Sequence, residues 1–218
     1  MEANLKNSDF FGEADDPKPP KPLLSIKRED SLSNRQVKAL DQLEKLIQKG
    51  VPDLTMSEIA SRLKVSLRTL YELAPSKDQL VLIAVDRILF RIGGEAKKAI
   101  KNIISPLEQL KVYVNETGKA MDPACLAFTR DFGELKGARV LVDSHENYVV
   151  SMTKKLLERS IQKKLIKPID ISAFAMILSG LGREIYANNF TSSLVKSPEE
   201  IYHEISEIIF LGLETVEP

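Results

Sequence analysis

Helix-start patterns recur along this chain of 218 residues. In a capping box, a Ser or Thr before the helix and a Glu or Gln three residues later satisfy two amide groups that the helix leaves unpaired. The pattern stands before five of the predicted helices, at Ser33–Gln36, Thr55–Glu58, Ser76–Gln79, Ser105–Glu108 and Ser197–Glu200. No segment shows the alternating β-branched residues and hairpin turns of strands. The sequence therefore predicts an all-α fold.

The predicted helices fall into a small N-terminal group followed by a larger body. They span 34–48, 55–63, 67–73, 77–102, 106–120, 123–135, 138–165, 170–190 and 198–213. Before them, four prolines within positions 17–22 exclude a helix and favour an extended chain. We therefore expect a disordered extension over 1–32, a DNA-binding domain over 33–80 and a helical effector-binding and dimerisation domain over 81–218.

Composition narrows the classes of protein to consider. Lys+Arg and Asp+Glu both total 31, so overall charge does not indicate a nucleic acid as partner, but residues 34–77 carry eight basic and five acidic side chains. The single cysteine, Cys125, excludes an internal disulfide framework and a Cys-rich zinc site. No apolar run has the length of a membrane span, and the acidic start does not resemble a secretory signal. We expect a cytoplasmic protein with no membrane partner, metal or cofactor.

The stretch SEIASRLKVSLRTLYELAPSKDQL, residues 57–80, has the spacing of a helix-turn-helix. Such a motif needs a small residue where the two helices cross, and Ala60 fits that position. Apolar residues must fill the contact between the helices, as do Ile59, Leu63, Val65, Leu70 and Leu73. One turn residue must adopt a left-handed conformation, and here it is Lys64, at a cost of about 1 kcal/mol for a residue other than glycine.

The second helix of this motif would carry the groups that read DNA. Ser66 is its natural N-cap, and Arg68 is a long donor able to contact a guanine edge in the major groove. Thr69 and Tyr71 can donate to phosphates, and Lys77 lies in the first turn of the next helix, which favours a phosphate. The predicted DNA-binding residues are Thr55, Ser66, Leu67, Arg68, Thr69, Tyr71 and Lys77. The alternative is three packed helices with solvated basic side chains.

Residues 50–80, GVPDLTMSEIASRLKVSLRTLYELAPSKDQL, resemble the DNA-binding domain of the tetracycline-repressor-like (TetR) family of bacterial regulators. The matching residues are Gly50, Thr55, Ile59-Ala60, Thr69-Leu70-Tyr71, Pro75-Ser76-Lys77 and Leu80, without a gap. Two positions depart from the family pattern: Lys64 replaces the usual turn glycine, and Ala74 replaces an aromatic residue that helps to pack the domain.

The resemblance implies a homodimer on an operator in double-stranded DNA, on a bacterial chromosome, with a small-molecule effector bound in the body. Candidate dimer residues on the last two helices are Gly180, Ile201, Ile205 and Ile209; the alternative is that they pack only within one subunit. Candidate effector-pocket residues are Met121, Phe128, Phe132, Tyr148, Met152 and Met176; ordinary core packing is the alternative. Because this region offers no cluster of inward charges, we expect a largely apolar effector.

The predicted function is that of a sequence-specific transcriptional regulator, a homodimeric repressor released by its effector. The helix over 77–102 would connect the two domains, and Gly93-Gly94 within it lower its helix propensity and predict a bend or a break. The alternatives are a protein-binding adaptor with a degenerate helix-turn-helix and an all-helical enzyme. No P-loop, HExxH or Gly-rich dinucleotide turn supports an enzyme.

Overall fold

The computed structural model describes residues 15–47, 54–118, 135–187 and 195–213. Within them lie nine helices and no β-strand: α1 Ile26–Asp30, α2 Asn34–Ile47, α3 Met56–Arg62, α4 Leu67–Leu73, α5 Lys77–Ile100, α6 Pro106–Gly118, α7 Ala138–Gln162, α8 Ile171–Ala187 and α9 Pro198–Leu213. The all-α prediction is confirmed. The helix predicted over 123–135 lies almost wholly outside the described residues.

The capping boxes begin helices where the sequence predicts them. At Ser33 the amide donates to Gln36 at 2.9 Å, and the Gln36 amide donates back to the Ser33 hydroxyl at 3.3 Å. Ser197 and Glu200 make the same reciprocal pair, at 2.8 and 3.2 Å. Their hydrogen bonds join residues three apart, so the local sequence is sufficient to specify them.

The described residues divide into two compact units by contacts. We call 20–47, 54–90 and 135–144 the head unit, and 15–19, 91–118, 145–187 and 195–213 the body unit. This division crosses the predicted boundary at residue 80, because α5 contributes 77–90 to the head unit and 91–100 to the body unit. The helix α5 continues through Gly93-Gly94, so the break considered there does not occur.

The head unit is held by one apolar core. In it, α4 contacts both α2 and α3. The core includes the residues that the helix-turn-helix spacing predicts, with Val65 packed at its edge, and adds residues from α2, α5 and the start of α7: Leu40, Leu43, Ile47, Leu80, Ala84, Ala138 and Leu141. Fully burying a Leu or Ile side chain contributes about 1.5–3 kcal/mol, so this cluster supplies most of what holds α4 in place.

Within the span predicted as a disordered extension, the residues just before α2 make contacts with the head unit. Its Leu24 is buried in the head core, and the Leu23 amide donates to the Asp86 carboxylate at 2.7 Å. Ser25 caps the short helix α1. The prolines do exclude a helix over 17–22, and tertiary contacts hold the residues after them.

Arg87 joins three elements of the head unit through ion pairs. Its guanidinium contacts Glu29 of α1 at 2.7 Å, Asp41 of α2 at 2.9 Å and Glu44 of α2 at 2.7 Å. Burial opposes the charge of Arg87, but the hydrogen bond that it donates to Glu44 and the charges of the three carboxylates outweigh burial and raise the pKa of Arg87. The pKa of Glu29 is raised by burial, which the charge of Arg87 offsets only in part. Arg87 thus fixes α5 against α1 and α2.

In the body unit, α9 packs against α6 and α8. Its inward face carries Tyr202, Ser206 and Phe210, and the Phe210 ring lies 6.3 Å from that of Phe174 on α8. Gly118, at the end of α6, lies against the Tyr202 ring so closely that a Cβ there would be 2.9 Å from it. None of the helices in the described residues has the length and apolar character that a membrane crossing requires.

Candidate nucleic-acid interface

The N-terminal turn of α4 is presented to solvent. The Ser66 hydroxyl accepts a hydrogen bond from the Thr69 amide at 3.1 Å, and this bond caps the helix as predicted. Behind this cap, the chain exposes Ser66, Leu67, Arg68 and Tyr71, whereas Leu70 and Leu73 face the core. One side of α4 is therefore packed on the core. The other side is exposed at the N-terminal end, which is the end that contacts bases in a recognition helix.

The turn before α4 has the backbone that the sequence predicts. Lys64 has a φ of 54°, in the left-handed region. The Val65 amide donates to the Ala60 carbonyl at 3.0 Å and the Lys64 amide to the Ser61 carbonyl at 3.2 Å. This pair of bonds is a Schellman motif, which satisfies the last carbonyls of α3. Lysine thus adopts the conformation that glycine adopts at lower cost, and the turn geometry is preserved.

Arg68 extends from the exposed side of α4. Its Nε lies 3.0 Å from Glu72 one turn later, and the two side chains are 89% and 48% exposed. Gln36 of α2 donates to the other Glu72 oxygen at 3.3 Å. An exposed pair at this spacing contributes only about 0.3–0.5 kcal/mol, so the guanidinium can exchange Glu72 for a base edge at little cost. Sequence reasoning missed Glu72, although the spacing of four residues would have revealed it.

The two threonines assigned to DNA have other partners in the structure. Thr69 is buried, and its hydroxyl lies 2.7 Å from that of Ser66, so it belongs to the cap of α4 and is not open to a phosphate. Thr55 is exposed, but its hydroxyl and amide donate to Glu58 at 2.7 and 2.8 Å. These hydrogen bonds lower the pKa of Glu58. Both threonines set helix positions through capping.

The remaining residues of this surface differ in exposure. Lys77 is half-buried in the first turn of α5. Ala74 ends α4 in an extended conformation and is fully buried in the head core, where an aromatic side chain was expected from the family pattern. A groove beside the turn is lined in part by Arg35, Lys38 and Lys64. None of these three basic side chains is predicted from the sequence as a DNA contact, and Lys64 is predicted only as the turn residue.

Three of the predicted effector-pocket residues lie within the described residues, and three do not. Met121, Phe128 and Phe132 lie outside the described residues. Tyr148 and Met152 are buried on α7, but Met176 is 65% exposed on α8. Lys97 of α5 and Lys155 of α7 have side chains only 9% and 13% exposed. The expectation that this region lacks inward charges is therefore wrong.

The predicted dimer residues lie on the last two helices and are partly exposed. Ile201, Ile205 and Ile209 are half-buried on α9, and Gly180 of α8 has nothing within 4 Å of where a Cβ would stand. Among the side chains that the structure describes on these helices, the most exposed apolar ones are their neighbours Met176, Ile177, Ile208 and Leu211.

Part of the head unit matches a known protein family. Residues 41–83 match the family described as bacterial regulatory proteins, tetR family. This range contains the turn, the whole of α3 and α4, and the start of α5. No curated protein sequence matches the chain.

Solved structures match across most of the chain. A TetR transcription regulator from Haloarcula marismortui has a TM-score of 0.72 at 16% identity and covers 84% of this chain and 100% of its own. A transcriptional regulator from Cytophaga hutchinsonii gives 0.69 at 17% identity over 84% and 100%. AibR, solved in complex with isovaleryl coenzyme A and operator DNA, gives 0.57 at 19% identity over 81% and 98%. At these identities the likeness establishes the fold.

Proposed function

Since the chain belongs to the tetR family of bacterial regulatory proteins, we propose that it is a homodimeric repressor that binds a specific DNA operator and is released by a small-molecule effector. The observation that carries DNA binding is the exposed start of α4. There Ser66 caps the helix, Arg68 is almost fully solvated, and Tyr71 lies one turn from Leu67 on the same side.

Arg68 and Tyr71 have different proposed tasks. A guanidinium can donate two hydrogen bonds to the edge of one guanine, which carries sequence information. A phenol reaches a phosphate oxygen, which carries affinity and position without base preference. The basic side chains of the groove, Arg35, Lys38 and Lys64, would add further phosphate contacts.

Footprinting on genomic fragments, followed by gel-shift titration, tests DNA binding. Arg68→Ala should lose about 1–3 kcal/mol of affinity for the best site and relax its base preference. Arg139→Ala is the matched control, because Arg139 and Asp143 form a pair at the same spacing with exposures of 86% and 50%. If both variants bind like the wild type, or if no fragment binds at low salt, the DNA-binding proposal fails.

The homodimer is proposed from the two apolar sides of α9. Tyr202, Ser206 and Phe210 face inward, whereas Ile208 and Leu211 are 69% and 67% exposed and lie with exposed Met176 and Ile177 of α8 on the last two helices. These two helices pack against each other, and exposed apolar side chains that cluster mark an association surface more often than isolated ones do. A second copy of this chain, presenting the same helices, is the proposed occupant.

Sedimentation equilibrium tests the homodimer. Ile208→Glu should shift the protein toward monomer, because a charge would be buried without a partner in the interface. Ile104→Glu is the control, since Ile104 is 98% exposed outside these two helices. A monomeric wild type, or equal dissociation of the two variants, would contradict the homodimer.

The effector is proposed to bind in the body unit beside Tyr148 and Met152, two buried side chains of α7. We expect this effector molecule to be largely apolar, as in the sequence analysis. Release of the protein–DNA complex by candidate compounds in the gel shift tests this step. A compound that binds the protein but leaves operator affinity unchanged would not be the effector, because only differential affinity for the two states shifts the equilibrium.

A further inference from the structure

Two lysines of the body unit are turned inward and share one carboxylate of the chain itself. Lys97 Nζ lies 2.8 Å from Oδ2 of Asp16, and Lys155 Nζ lies 2.8 Å from Oδ1. All three side chains are at most 13% exposed. Each carboxylate oxygen thus has its own ammonium donor, a geometry that fits a planar carboxylate well.

The body unit also holds a buried phenol whose hydroxyl lacks a partner in the part of the chain that the structure describes. Tyr113 of α6 is fully buried, and within the described residues its hydroxyl has no hydrogen-bond partner. Leaving such a donor unsatisfied costs about 1–3 kcal/mol, so a buried hydroxyl normally has a protein, water or ligand partner. Burial raises the pKa of Tyr113, and the charges of Tyr148 and Asp16 add to the effect, which places this phenol in the electrostatic field of the site.

Asp16 reaches the lysines from an irregular segment. It is followed by Pro17, Pro19, Pro20 and Pro22, which have no helix or strand. Burial opposes its charge, but hydrogen bonds from Lys155 and Lys97 outweigh this and lower the pKa of Asp16. Because side-chain contacts hold this carboxylate, another carboxylate can make the same two contacts in its place.

We propose that Lys97 and Lys155 form the head-group site of an effector that carries a carboxylate, and that Asp16 occupies this site when the effector is absent. This deepens the proposed function and rests on it in assuming an effector in the body unit. The carboxylate of the effector takes the place of Asp16 between the ammonium groups and accepts a hydrogen bond from the Tyr113 hydroxyl. Its apolar part contacts Tyr148 and Met152, which lie seven and three residues before Lys155 on the same face of α7.

Asp16 acts in this scheme as an intramolecular competitor. If it occupies the site in about nine of ten molecules, the apparent affinity for an added carboxylate is reduced about tenfold. Asp16→Asn should remove the competition, because a neutral amide binds two ammonium groups weakly. Asp15→Asn changes the same charge at the neighbouring exposed residue and is the matched control.

The experiment is calorimetric titration of the full chain, without DNA, with hexanoate, decanoate and the uncharged decanol. Asp16→Asn should bind at least one of the acids about tenfold more tightly than the wild type does, while Asp15→Asn and the affinity for decanol stay unchanged. Adding Lys155→Gln should abolish the gain. No gain for either acid, or an equal gain for decanol, would overturn the proposal.

Lys155→Gln in the wild-type chain gives a second reading should Asp16→Asn fail to fold. It should weaken binding of the acids about tenfold and leave decanol unchanged, whereas Lys154→Gln, which removes a lysine that contacts Ser172 on the surface, should weaken neither. Equal effects of the two substitutions would overturn the site. Because no DNA is present, these outcomes are independent of the Arg68 gel shift, which tests the regulator itself.

Discussion

Arg28 donates a hydrogen bond from Nη2 to the main-chain oxygen of Glu72 at 2.8 Å, and the same nitrogen lies 3.4 Å from the oxygen of Leu73. These carbonyls end α4, where the helix provides no amide partners and carries partial negative charge. An arginine from the segment before α2 therefore caps the helix that presents Arg68. The contact spans 44 residues of sequence.

We expect Arg28→Ala to weaken both the head unit and DNA binding. Removing an exposed charge-assisted cap should lower the free energy of unfolding by about 1 kcal/mol, and operator affinity should fall because α4 is held less firmly. Urea unfolding and gel shift measure the two effects. Lys27→Ala, on the same short helix, should change neither, and wild-type values for Arg28→Ala would show that the cap is dispensable.

Replacing Lys64 by glycine should stabilise the protein by about 0.5–1 kcal/mol. The left-handed φ costs lysine about 1 kcal/mol or more, and the extra entropy of glycine in the unfolded chain offsets part of the gain. Lys164, with a φ of 58° and the same two turn bonds, provides a replicate in the body unit. Lys154→Gly, inside α7, should destabilise instead. A loss of stability in both turn variants would contradict this reading.

The local part of the fold could be predicted from sequence, and the long-range part could not. Capping boxes and the Lys64 turn depend on residues at most five apart, so the local sequence is enough to predict them. The site of Asp16 joins residues 81 and 139 positions apart, and no spacing rule links them. The prolines before Leu23 predict a segment without a helix. Its partner Asp86 lies 63 residues further along the chain, where no spacing rule reveals it.

Helical periodicity has its own limit, which Met176 illustrates. It identifies which residues share a face, but it does not decide whether that face meets the core of the same subunit or another molecule. Met176 was therefore placed in a pocket, whereas the structure leaves it exposed on α8. Thr69 shows the converse: its hydroxyl suits a phosphate by chemistry, yet its face of α4 is buried.

Gly118→Ala should destabilise the body unit by about 1–3 kcal/mol. Its Cβ would stand 2.9 and 3.1 Å from two atoms of the Tyr202 ring, so α6 or α9 would have to shift. Gly212→Ala is the control in α9, because nothing lies within 4 Å of its Cβ position and alanine favours the helix. Thermal unfolding at fixed protein concentration compares them. Equal melting temperatures for the two variants would show that the Tyr202 ring yields easily.

The buried phenol of Tyr202 predicts a specific loss of stability at alkaline pH. Burial raises its pKa from 10.0 to about 12, so above pH 10 the unfolded chain releases this proton while the folded chain keeps it. The contribution is complete below pH 10 and is lost as pH rises toward 12, by about 1.4 kcal/mol per pH unit at most. In Tyr202→Phe, the free energy of unfolding should therefore fall less steeply with pH in this window, as measured by urea titrations.

The other buried phenols do not affect this comparison. Tyr113 and Tyr148 are present in both proteins, so their contributions cancel in the difference. A course for Tyr202→Phe that parallels the wild type would refute the assignment.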